Sequence, residues 1–322
     1  MIMPYPLSNL QYGLRRRLGE LTSPVERYVL QVAAGKISIC PPKLQNVGVH
    51  TSSANISCFG QKLSLSTINT DNETLEPLVF DKGDSLVRCT GFLFIEDVTA
   101  DQINFDNEIH RHAIIQPEQV QMRITDVSTE FFTALSTIIS MNDVTKLKIK
   151  ALRTYEGCVS FADILKTFPN LDVLTIQDCQ PNSNWISDIL KYQKQKLSSL
   201  TLACDPQNLN LSTYNLQEFL HFFTAQQPGF RLCFYVKNAS TSSFLNLMQV
   251  LGTRMRPWNG IDRPGFRHIV IRWRGYTYGY YLPAYGINAT KADFAEDEFY
   301  ALEMQARLDK LSKKVLKRKL GS

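Results

Sequence analysis

The chain has 322 residues, 44% of them apolar and 20% charged, a balance that fits an ordinary globular protein and excludes a low-complexity or fibrous one. Its apolar runs are too short to cross a bilayer, and the opening segment spaces its apolar residues instead of massing them behind basic ones, unlike a secretory leader. The formal charge of +5 sits at the end: Lys310, Lys313, Lys314, Lys317, Arg318 and Lys319 fall in the last stretch, leaving 29 basic residues against 30 acidic ones elsewhere. The body therefore lacks the basic excess of a general nucleic-acid binder, and nucleic acid is not the expected partner.

Residues 4–35 read as a helical head. Leu10, Leu14, Leu18 and Leu21 recur at the spacing of one helix face. Thr22-Ser23-Pro24-Val25-Glu26 is a restart signal, with Ser23 as cap, Pro24 in the first turn and Glu26 completing a capping box. The second helix offers Tyr28, Leu30 and Val32 and ends at Gly35.

Residues 36–117 change to β-formers in "ISCFGQKLSLSTI" and "LVRCTGFLFIE", separated by polar stretches, and are expected to form a β-rich connector. In its polar part His110-x-His112, near Asp106 and Glu108, has the look of a metal-site corner but lacks a second ligand pair, so a solvated loop is expected. His221 is expected to be packed or half-buried among aromatics.

Residues 118–290 carry a repeat. Val144, Leu147 and Ile149 stand in an L-x-x-L-x-L frame that returns at Leu171, Leu174 and Ile176 and again at Leu197, Leu200 and Leu202. "VQMRI" is an earlier copy, "RLCFYV" and "FRHIVIRW" later ones, with helix-like segments between them. A strand and a helix every few tens of residues is the leucine-rich-repeat layout; the competing architecture is a closed α/β domain of βαβ units. The expected fold is α/β: a short N-terminal helical head, then a leucine-rich-repeat-like open βα solenoid, then a C-terminal helix. That helix, within 291–322, starts acidic and ends basic, in accord with its dipole. Ala301, Met304, Leu308, Leu311 and Val315 make a seam able to pack on the body or to take a helix partner through 301–315.

No catalytic constellation is present: the phosphate-loop, dinucleotide, nucleophile-elbow and zinc-helix motifs are all missing. The seven cysteines, Cys40, Cys58, Cys89, Cys158, Cys179, Cys204 and Cys233, never pair as C-x-x-C and read as reduced thiols of a cytoplasmic or nuclear protein. No cofactor, metal or enzymatic activity is expected. Arg272, Trp273, Arg274, Tyr276 and Tyr278 combine residue types used in protein interfaces, in single-strand nucleic-acid binding and in capping an open core, and all three uses stay open.

The opening stretch resembles an F-box, in a degenerate form, and the layout behind it resembles the nematode-expanded F-box proteins. Pro6-Leu7, Leu10, Leu14, Leu18, Leu21, Ser23-Pro24 and Tyr28 fill the places of that motif, while Leu10-Gln11 stands where the family has Leu-Pro. The resemblance implies that Pro6, Leu7, Leu10, Leu14, Leu18 and Leu21 bind the Skp-type adaptor of a cullin–RING ubiquitin ligase and that the repeat domain holds an unknown protein substrate. The alternatives are a non-catalytic repeat-like interaction scaffold with no ligase link, and, less favoured, an RNA-associated protein.

Overall fold

A computed structural model describes residues 10–34, 44–60, 62–69, 74–80, 85–103, 108–124, 126–152, 157–203, 216–236, 240–252, 255–258, 260, 265–282 and 300–313. The chain divides into two compact units, the first formed by residues 1–147 with 167–170 and the second by 148–166 with 171–322. Sequence placed the boundary at 117/118; the segment 36–117 instead belongs with the head and the following strand.

The first unit opens with helices α1 (Tyr12–Leu21) and α2 (Pro24–Ala34). The capping box forms as its residue types require: Glu26 Oε2 accepts from Ser23 N at 2.9 Å and Ser23 Oγ accepts from Glu26 N at 3.4 Å. Strands β1 (Val47–Phe59), β2 (Lys62–Asn69), β3 (Thr74–Pro77), β4 (Leu86–Glu96) and β5 (Ala113–Ile124) follow, with α3 (Glu108–His112) before β5 and α4 (Thr129–Leu135) after it. In the sheet order β3-β2-β1-β4-β5 the first two pairings are antiparallel and the last two parallel. Alternate residues such as Ala54, Ile56, Leu93, Ile95, Met122 and Ile124 are fully enclosed, and Phe131, Phe132 and Leu135 of α4 are buried as well. Ser128 caps α4, its Oγ accepting from Phe131 N at 3.1 Å. Gly91 sits at a bulge between β4 and β5 with φ +86°.

Strand β6 (Lys146–Ala151) spans the division. The second unit then holds β7 (Cys158–Val159), α5 (Phe161–Thr167, its last residue counted with the first unit), β8 (Val173–Gln177), β9 (Gln180–Pro181), α6 (Trp185–Tyr192) and β10 (Ser199–Ala203). It continues with α7 (Leu216–Ala225), β11 (Arg231–Val236), α8 (Thr241–Gly252), β12 (Arg256–Pro257), β13 (Arg267–Trp273) and β14 (Tyr276–Leu282), and ends in a helix over 300–313, α9. Strands β8, β10, β11 and β13 are parallel neighbours in chain order, and β14 turns back antiparallel onto β13 before pairing with β12. β7 and β9 pair in parallel as a separate two-stranded ribbon.

The repeat frame is visible in the register. Leu174, Leu200, Leu232 and Ile269 form one row across the parallel strands, and Ile176, Leu202, Phe234 and Ile271 the next. All eight are buried, as are the helix rings Trp185 and Phe222, which meet edge-on at 5.3 Å. The class is therefore α/β with open, mostly parallel strand order, not a closed barrel.

In α9, Met304 and Leu308 are buried, and Leu245 and Met248 of α8 share with them the lining of a cavity of about 910 Å³. The expected seam is thus occupied within this unit at these two positions; Val315 lies outside the described residues. No helix among the described residues is long and apolar enough to cross a membrane.

Candidate docking surface on the helical head

The apolar stripe of α1 is turned inward only in part. Gly19 is its buried residue, and it lies about 140° around the helix from Leu14 at 100° per residue. A small residue there lets α2 approach closely: Arg27 Nε donates to the Gly19 carbonyl at 3.2 Å and Arg27 Nη2 to the Thr22 carbonyl at 3.4 Å. The leucines are left at the periphery. Leu14 is 57% exposed and Leu21 70%, while Leu10 and Leu18 are half-buried. Pro6 and Leu7 lie outside the described residues.

Helix α2 adds to the same kind of surface. Val29 and Val32, three residues apart and hence on one side, are both exposed, and Tyr12 is exposed on α1. Sequence reading singled out Val32 but passed over Val29 and Tyr12; the i, i+3 spacing of the two valines was the available signal. Tyr28 and Leu30 are half-buried.

The basic run is spoken for along α1. Arg16 and Arg17 both pair with Glu20, at 3.1 and 3.2 Å, and Arg15 lies over the Tyr12 ring at 5.9 Å. These exposed pairs hold the helix surface in a polar frame beside the leucines and add little to stability.

Head and body of the first unit meet at a polar cleft of about 390 Å³, lined by Glu20, Thr22 and Arg27 on one side and His110, Arg111 and Thr137 on the other. His110 was expected in a solvated loop; it is instead buried in α3, with its Nε2 within 3.1 Å of Thr137 Oγ1. Burial holds its pKa below the usual 6.5, and the nearby Arg27 charge acts in the same direction. His112 stacks on the Phe80 ring at 5.6 Å, so the two imidazoles serve different packing contacts. No cluster of metal-ligating side chains exists among the described residues. His221, expected to be packed or half-buried, is exposed on α7.

The Arg/Tyr segment divides into buried and exposed residues. Trp273 is buried and stacks on Phe244 of α8, with centroids 4.1 Å apart and planes 9° from parallel, and Tyr278 is buried beside the same ring. These two are core residues. Arg272, Arg274 and Tyr276 are exposed. Arg274 and Gly275 form the two-residue turn between β13 and β14, both with positive φ, as the tightest hairpins demand.

Comparison of the chain with protein-family models, with curated proteins and with solved structures finds no match.

Proposed function

We propose that the chain is a non-catalytic recruiting subunit whose helical head docks on the Skp-type adaptor of a cullin–RING ubiquitin ligase and whose second unit, a leucine-rich-repeat-like βα stack, holds a protein substrate. The observation that carries this reading is the exposure of Leu14 and Leu21 on α1, together with Val29 and Val32 on α2. A head that served only to close the first unit would turn its apolar stripe inward. Burying each such side chain on a partner is worth on the order of 1–2 kcal/mol, enough for a few of them to anchor a complex. The row-by-row register of Leu174, Leu200, Leu232 and Ile269 supports the repeat-like reading of the second unit. In this role the chain moves no bond; it raises the local concentration of substrate beside the ubiquitin-loaded enzyme.

The test is capture of the full chain by a purified Skp-type adaptor, set against a Leu14→Asp, Leu21→Asp double variant. Capture of the native chain and loss in the variant, with unchanged circular dichroism, supports adaptor docking. A folded native chain that is not captured overturns the ligase reading in favour of a scaffold without a ligase link.

A further inference from the structure

Among the described residues, the strand positions on the face of the second unit's sheet that points away from the buried leucine rows carry no carboxylate. Strand alternation puts Val173, Thr175 and Gln177 of β8 on it, then Ser199, Thr201 and Ala203 of β10. β11 contributes Arg231, Cys233 and Tyr235, and β13 contributes His268, Val270 and Arg272. On β14 the matching positions are Thr277, Gly279 and Tyr281. None of these is acidic, and two are exposed arginines. Beyond β8, the part of β6 that belongs to this unit adds Lys148 and Lys150 at the positions alternating with buried Ile149. The aspartates nearest in sequence, Asp172 and Asp178, lie past the two ends of β8, and Asp172 Oδ1 is taken up by Gln227 Nε2 at 2.9 Å.

The floor and the far end of this face differ. At the β13 end Trp258 and Phe266 close over Val270 and Tyr281 in a small apolar cluster, with Cys233 against it. Trp258 fits so closely over Gly279 that a Cβ there would come within 2.8 Å of its ring. Toward β8 the floor opens into a row of half-exposed Thr175 and Thr201 running up to Cys233, with Ser199 beside Arg231. The two arginines stand on either side of Cys233. Arg231 lies over the Trp258 ring at 5.7 Å and Arg272 over the Tyr235 ring at 4.9 Å. Burial pushes the Cys233 thiol up, and the Arg231 charge, a side-chain hydrogen bond with Thr201 and the Arg272 charge act against that shift.

We propose that this face binds an extended acidic segment of a partner protein, its carboxylates held by Arg231 and Arg272 and its backbone lying along the hydroxyl row of Thr201 and Thr175. An arginine laid on an aromatic ring gives up less rotamer freedom when it meets a carboxylate, and its planar fork suits that group. A single-stranded nucleic acid is the poorer fit. Base stacking needs open rings, whereas Trp258 and Tyr281 are buried, Trp273 faces the other way, and Tyr235 already carries Arg272. The proposal rests on the second unit being the part that holds the substrate. Its test does not involve the adaptor, so failure here would leave docking by the head intact.

The experiment measures fluorescence anisotropy of a short labelled peptide of alternating Glu and Tyr with the full chain, beside its Gln-Tyr counterpart and a single-stranded oligonucleotide. The expected result is that the acidic peptide binds best, that salt weakens it, and that Arg231→Glu with Arg272→Glu weakens it by about tenfold or more. Should the double reversal disturb folding, Arg231→Gln with Arg272→Gln keeps the aliphatic stems and is expected to weaken binding in the same sense. Equal binding of the Gln-Tyr peptide, tighter binding of the oligonucleotide, no binding at all, or unchanged affinity in a folded variant would each overturn the proposal.

Discussion

Gln31 and Gln45 hold each other through two hydrogen bonds: Gln31 Nε2 donates to Gln45 Oε1 at 3.2 Å, and Gln45 N donates to Gln31 Oε1 at 3.1 Å. Both residues are buried, and they tie α2 to the chain entering β1. Gln31→Ala leaves a buried backbone N–H without its acceptor, a cost of about 1–3 kcal/mol. Hydrogen exchange should show the amides of α1 and α2 opening faster, with the amides of β4 much less affected.

Gly91 is a position that no other residue fits. Its φ is +86°, and a Cβ would stand 2.7 Å from the Ser52 carbonyl oxygen. Gly91→Ala combines backbone strain with a collision against another strand's backbone and should cost on the order of 2–4 kcal/mol. Gly60 also has positive φ but nothing within 4 Å of the built Cβ, so Gly60→Asn should cost under about 1 kcal/mol. Urea midpoints of the two variants measure the difference.

His110 should make the first unit acid-sensitive. Its pKa is lowered in the fold by burial and then by Arg27, so the unfolded chain binds the proton more readily. Stability from the neutral imidazole is complete above the ordinary value of 6.5 and is lost as pH falls from there through the lowered folded value. The groups facing it across the cleft are Arg27, Glu20 and Glu26 of the head and Arg111 of its own helix. Thermal melts of the native chain from pH 7.5 down to pH 5 should show this loss, and His110→Gln should flatten that part of the profile.

The cysteines should react in order of exposure. Cys158 is exposed, whereas Cys89 and Cys179 are buried and pushed up to about 12 chiefly by that burial. The thiolate is the nucleophile, so native protein treated with iodoacetamide at neutral pH should carry the label at Cys158 while Cys89 and Cys179 stay unmodified until urea is added. Peptide mass mapping reads the outcome.

Much of the second unit was legible because period-2 apolar alternation and the recurrent Leu frame are local signals. Leu174 and Leu200 announce their strands without knowledge of any partner. The first unit was harder. β1 pairs in parallel with β4 across an intervening hairpin, and nothing local in 36–117 states that pairing, so four strands of a sheet read as a connector. The stripe on α1 was readable as apolar, but not that Leu14 and Leu21 would stay exposed, since that depends on Gly19 meeting Arg27. By type, Trp273 and Tyr278 suited an interface, a nucleic-acid site or the cap of a core alike; only register and the ring of Phe244 assign them to the core. Arg231 drew no notice in the sequence because the role proposed for it depends on β11 lying two pairings from the strand of Thr175.

Strand β3 ends the first unit's sheet order, and all four of its residues are exposed. A strand at the edge of a sheet can invite a second chain to add itself, the first step toward fibrous self-assembly. Here the invitation is withdrawn by composition: the strand is short, Glu76 places a negative charge on it, and Pro77 has no N–H to offer a neighbour. The guard on this edge thus lies in two residues that contribute almost nothing to the core.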